Sequence, residues 1–86
     1  MLFLTRFTFT PEARGAIIAR FKETKGLPPQ GVKMLGRWHV IGGNCGFHLS
    51  EASDASLLLK WTLQWSDLMT IDVYPVVDDQ QLAALL

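Results

Sequence analysis

Three side chains able to hold an anion or move a proton lie close together near the middle of the chain: Arg37, His39 and His48. Gly42 and Gly43 separate the two segments that carry them, and primed hairpin turns favour such a pair because glycine adopts positive φ freely. A two-residue turn there pairs residue i with residue 85 − i, placing His48 opposite Arg37 and diagonal to His39. The three Cβ atoms then fall within ~8 Å of one another. Arginine supplies a planar donor fork and histidine a switchable donor, so the chemistry indicated is recognition of an anion or carboxylate. Arg6 and Thr8 of a neighbouring strand would join them. The same groups have a second reading as the seam of a dimer, paired with Asp72 or Glu51 of a second copy. That reading takes precedence, because buried polar groups need partners wherever they lie. No metal is expected. Two histidines need a third ligand, and Asp72 stands three strand spacings (~14 Å) from the strand of His39.

A second concentration is aromatic. Trp38, Phe47, Trp61 and Trp65, with Phe3, Phe7 and Phe9, gather where the second helix would meet the sheet. They could clasp a flat ligand, and with the cluster above they define a ligand-binding set of Arg37, Trp38, His39, His48, Trp61 and Trp65. Aromatic residues at core spacing are more often simply core. A chain of 86 residues is also expected to leave little volume for a drug-sized cavity. No phosphate loop, nucleophile elbow, zinc-binding helix motif or nucleic-acid signature is present, and neither a cofactor nor a catalytic residue is indicated.

The elements that must position these groups follow from periodicity. Residues 2–9 alternate, with Phe3, Thr5, Phe7 and Phe9 on one face and Leu2, Leu4, Arg6 and Thr8 on the other, which predicts a strand. Thr10-Pro11-Glu12 marks a helix start with Thr10 as N-cap, and Gly26 marks its end. Leu27 to Gly31, with two prolines, is a rigid connection. Val32 to Ile41 alternates as a second strand, with Val32, Met34, Gly36, Trp38 and Val40 on the face turned to the helices. A third strand follows, with Cys45, Phe47 and Leu49 on that same face and His48 on the other. Ser53 is the expected N-cap of a second helix whose stripe is Leu58, Trp61, Trp65 and Leu68. Residues 69–77 form the last strand, and Pro75 suits an edge position because it cannot donate to a ladder. Asp78-Asp79 caps a short terminal helix carrying Leu82, Leu85 and Leu86.

Composition bounds the class. Hydrophobic residues make up 49% of the chain and charged ones 19%, too apolar for disorder and rich for a monomer of this size. Eight basic and eight acidic residues cancel, so neither nucleic acid nor an acidic membrane is drawn electrostatically. Residues 1–43 carry seven Lys/Arg against Glu12 and Glu23, and residues 44–86 carry Lys60 against six acids. That polarity is expected to mix away in the fold. Cys45 is the only cysteine, which leaves no internal disulfide and no thiolate metal site. The first residues lack a basic leader and a long apolar run, so a cytoplasmic protein is expected.

One domain over residues 1–86 with the order β-α-β-β-α-β follows. Right-handed crossovers favour the ferredoxin-like arrangement, a four-stranded antiparallel sheet of order 4-1-3-2 with both helices on one face. The opposite face would carry Leu2, Leu4, Leu35, Ile41, Tyr74 and Val76 around the Arg37, His39 and His48 cluster, too apolar to stay bare. Burial against a second copy, as a homodimer, is the expected remedy.

The run Gly31-Val32-Lys33-Met34-Leu35-Gly36-Arg37-Trp38-His39, then Trp65-Ser66-Asp67-Leu68 and Pro75-Val76-Val77-Asp78-Asp79, resembles the small proteins grouped as domain of unknown function 3303. That family looks like a member of the dimeric α+β barrel superfamily. The resemblance implies the fold and brings no assigned activity; the wider superfamily uses the space between helix and sheet for aromatic or haem-like ligands. Two functional readings stand. One is a dimeric module that associates through its sheet face and has possible small-ligand binding, aromatic or anionic. The other is a small cofactor-independent enzyme, monooxygenase- or isomerase-like, acting on an aromatic or carboxylate ligand beside His39 or His48. Sealing of Arg37, His39 and His48 between two sheets would favour the first; an open cavity rimmed by tryptophan and histidine would favour the second.

Overall fold

The computed structural model describes residues 1–86. The elements run β1 (Leu2–Thr8), α1 (Arg14–Thr24), β2 (Val32–His39), β3 (Cys45–Ala52), α2 (Ala55–Leu63), β4 (Thr70–Val76) and α3 (Asp79–Ala83). The four strands form one antiparallel sheet of order β2-β3-β1-β4, the expected 4-1-3-2 read from its other edge. The chain is therefore α+β and ferredoxin-like. Pro75 sits on the edge strand β4, opposite Phe3.

The element ends refine the reading from sequence. Thr10 is extended but makes no side-chain cap, and a 3-10 turn over Pro11–Ala13 leads into α1. At the far end Lys25 takes the left-handed conformation (φ 60) ahead of Gly26 (φ 59). The N-cap of α2 is Asp54, not Ser53; its carboxylate accepts from the Ser56 N–H at 2.9 Å. A carboxylate one residue later serves both as cap and as countercharge to the helix dipole. α2 stops at Leu63, so Trp65 and Leu68 lie in the turns that follow, yet Trp65 stays buried. Asp78 caps α3 as expected, in a capping box with Gln81, whose side-chain carbonyl accepts from the Asp78 N–H.

The hairpin pairs as anticipated: Arg37 faces His48, Trp38 faces Phe47 and His39 faces Gly46. The faces do not follow as anticipated. Val32 and Met34 point to the helices, but the register shifts between Met34 and Gly36, leaving Leu35 as an extra residue. One extra residue exchanges the two faces for the rest of the strand. Arg37 and His39 therefore turn toward the helices with Gly46, His48, Ser50 and Ala52 of β3. Trp38, Phe47 and Leu49 turn to the open face, and Trp38 is 57% exposed. The Arg37, His39 and His48 cluster is thus not at the centre of the uncovered face.

The core lies between the sheet and the helices: Phe3, Ile17, Val32, Ala52, Leu58, Trp61 and Trp65. α2 contributes Leu58 and Trp61, whereas α1 buries only Ile17. The face that α1 turns to the sheet mixes Ile17, Ile18 and Phe21 with Arg14 and Lys22. No helix is long and apolar enough to cross a membrane.

Candidate functional site

Beneath α1 the layers part, and a cavity of about 550 Å³ opens between the sheet and the two helices. The room that 86 residues were expected not to spare is present. Its floor is one cross-strand row, Arg37 on β2, His48 on β3 and Thr5 on β1, continued to Val73 on β4. Of these, Arg37, His48 and Thr5 line the cavity. The next row is His39, Gly46, Phe7 and Ile71. Phe7 lies beside both histidines, with ring centroids 6.0 Å from His39 and 6.3 Å from His48.

His48 is the most enclosed of the titratable groups in the cavity. Its imidazole stacks on the Trp61 indole at 4.4 Å with an interplanar angle of 27°, and its Nδ1 is 3.1 Å from the hydroxyl of fully buried Ser50. Burial, and secondarily the nearby Arg37 charge, push its pKa down to about 4. The ring is therefore neutral at neutral pH. Across the strand pair, Thr5 is 1% exposed and its Oγ1 has no hydrogen-bond partner. An orphaned buried hydroxyl costs roughly 1–3 kcal/mol.

Arg37 reaches from β2 to the C-terminus of α1. Nη1 donates to the Gly26 carbonyl at 2.8 Å and Nη2 to the Lys25 carbonyl at 3.2 Å, while the guanidinium lies 4.9 Å over the Phe21 ring. It thereby caps a helix end whose carbonyls have no intrahelical donors. The close fit explains Gly26: a Cβ there would stand 2.7 Å from Arg37 Nη1 and 3.1 Å from the Phe21 ring, at a positive φ. Desolvation lowers the Arg37 pKa from its ordinary value. Two other arginines fix the roof. Arg14 donates to Asn44 Oδ1 at 2.8 Å, joining α1 to the hairpin tip. Arg20 makes a two-pronged pair with Asp67 at 2.8 Å each and also donates to the Gln64 carbonyl. That pair raises the arginine pKa and lowers the carboxyl pKa, chiefly through their mutual hydrogen bonds.

Of the six residues proposed from sequence, five line this one cavity: Arg37, His39, His48, Trp61 and Trp65. Trp38 does not; the Leu35 bulge sends it to the other face. Sequence reasoning did not single out Ser50 or the cavity role of Thr5. The available signal was Thr5 itself, a hydroxyl between Phe3 and Phe7 in the inward phase of β1. No group of three His, Cys, Asp or Glu side chains converges as a metal site.

The fold and this half-open chamber define a ferredoxin-like α+β protein. The chain belongs to the domain of unknown function DUF3303, whose family model matches residues 1–86. No curated protein matches it. Among solved structures it is similar to Rv0793 from Mycobacterium tuberculosis, with a TM-score of 0.54 at 17% identity over 91% of this chain and 95% of that one. A Deinococcus radiodurans protein, provisionally described as an antibiotic biosynthesis monooxygenase, aligns over 91% of this chain and 94% of its own. Its TM-score is 0.43 and its identity 7%. The likeness to Rv0793 speaks to the fold alone.

Proposed function

We propose that this chain is a small-molecule-binding module whose ligand, flat and largely apolar, occupies the cavity between the helices and the sheet. The observation that carries the reading is the orphaned Thr5 hydroxyl at the floor of a chamber of about 550 Å³, a size typical of ligand sites. Trp61, Phe7 and Phe21 supply apolar walls, and Thr5, whose hydroxyl is buried and unpaired, would orient the guest by turning that hydroxyl into the chamber. Thr5→Val separates these roles, since it keeps the shape and removes the hydroxyl. The unliganded variant should be more stable than the parent by about 1–2 kcal/mol, because a buried unpaired group has gone. It should also bind 2-naphthol about fivefold or more weakly in a calorimetric titration, the loss of one hydrogen bond. A parent protein that shows no heat with 2-naphthol would sink the reading, as would a variant that binds it equally well.

The open sheet face supports self-association as the assembly in which this module works. Trp38, Phe47, Leu49, Leu4 and Tyr74 lie together across β2, β3, β1 and β4 with no helix over them, and Trp38 and Tyr74 are 57% and 52% exposed. The molecule is only 17 Å along its shortest axis, a sheet and one helical layer. An apolar face of that extent is buried most simply against its own copy by a two-fold axis. Sedimentation at about 10 μM should give twice the 9.6 kDa chain mass, and Trp38→Arg should give the single chain. A parent protein that sediments as a monomer at that concentration rules this assembly out.

A further inference from the structure

We propose, building on the cavity reading above, that the ligand is an anion: a flat apolar acid whose carboxylate is held at the C-terminal end of α1 by Arg37 and Lys22. The charge around the cavity is one-sided. Arg14, Lys22 and Arg37 line it together with His39 and His48, and no Asp or Glu does, although the chain carries eight acids against eight bases.

Arg37 makes this more than a solvated rim. It is half-buried, and only carbonyls and an aromatic face meet its charge. The carbonyls at the end of α1 offset part of that charge, but they occupy two of the five N–H donors and supply no counter-ion. The protein's ion pair is elsewhere, between Arg20 and Asp67. A partly desolvated guanidinium without a carboxylate is expected to recruit one. Arg14, at the opposite end of α1, is already engaged by Asn44, so the free cationic end is that of Arg37 and Lys22. The apolar body of the ligand would then lie along Phe21 and Phe7 toward Trp61, with Thr5 beneath it.

A matched pair of probes tests this: naphthalene-2-carboxylate and its neutral isostere naphthalene-2-carboxamide, titrated calorimetrically into the intact chain at low salt. The carboxylate should bind at least about tenfold more tightly, the scale of one charge-assisted hydrogen bond. Lys22 is exposed on α1, so Lys22→Glu leaves the core intact. It should reduce carboxylate affinity about tenfold and leave carboxamide affinity unchanged. Lys60→Glu makes the same change of net charge away from the cavity and should alter neither. Equal binding of the two probes, or a preference untouched by Lys22→Glu, overturns the anion inference while the cavity reading stands. Failure of both probes to bind overturns both.

Discussion

Gly46→Ala should destabilise the protein by about 2–3 kcal/mol and lower its melting temperature by roughly 10–20 °C, an effect out of scale with one added methyl. Gly46 lies on β3 directly across from Phe7 on β1. A Cβ built there would stand 2.2 Å from Phe7 Cζ and 2.5 Å from Cε2, with the carbonyl oxygen of Trp38 at 2.8 Å. The ring has little freedom to yield, because it is packed beside His39 and His48. The carbonyl belongs to the β2–β3 ladder and moves only if the hairpin opens. The usual advantage of alanine over glycine in a strand, about 0.5–1 kcal/mol, is too small to compensate. Gly36→Ala makes the contrast. There the Cβ would meet the far end of the Trp38 ring at 2.6 Å, but that side chain is exposed and can swing away. Thermal and urea unfolding of the two variants should therefore differ severalfold in effect. Phe7→Leu in the Gly46→Ala background should recover part of the loss, a coupling that a double-mutant cycle measures. A Gly46→Ala protein melting within ~3 °C of the parent would contradict this account of the contact.

The same glycine shows what was legible in the sequence. Element order, strand topology and the hairpin register from Gly36 to His39 followed from alternation, turn residues, caps and the handedness of crossovers. Arg37 was expected opposite His48, and there it lies. What alternation could not decide is which face of the hairpin meets the helices. The phase with Cys45, Phe47 and Leu49 is the more apolar half of β3, and an apolar-inward rule turns it to the core. The chain does the reverse, because the inward row must leave space. Gly46 admits the Phe7 ring, and the small Ser50 stands across from Phe3. When both faces of a sheet are apolar, periodicity marks a strand without saying which side is covered. The Leu35 bulge compounds this: its extra residue is invisible to a count of alternating positions, and it exchanges the sides on which Arg37 and Trp38 emerge. The cavity had a fainter signature in Arg14 and Lys22, which share the inward face of α1 with Ile17, Ile18 and Phe21 and leave it too narrow an apolar stripe to close on the sheet.

Stability should fall by about 2–3 kcal/mol as the pH is lowered from about 6.5 to about 4, and His48 should account for most of the fall. In the unfolded chain this imidazole takes up a proton near its ordinary value of 6.5; in the folded chain, enclosed by Trp61 and Ser50, it does so only near 4. Between those values the unfolded state binds the extra proton. Acid therefore favours unfolding throughout that window, and the native advantage is complete only above it. Each unit of depression corresponds to about 1.4 kcal/mol, which sets the ceiling, and the remaining solvent contact brings the expectation below it. The carboxyls of Asp54 and Asp67 are also held below their ordinary 3.8, by the Ser56 N–H and by Arg20. Their contribution is lost only as the pH falls below that value, so the two windows separate. His48→Gln keeps a hydrogen-bonding group beside Ser50 and removes the titration. Urea midpoints at pH 7.5 and 4.5 should differ clearly for the parent and much less for this variant. A parent with equal midpoints at the two values, or a variant with an undiminished difference, would mean that His48 is not the group held neutral. The expected outcome fixes the state of His48 at neutral pH: a neutral imidazole at the floor of the chamber, beside a guanidinium met by carbonyls and no carboxylate, that takes up a proton only at the cost of the fold.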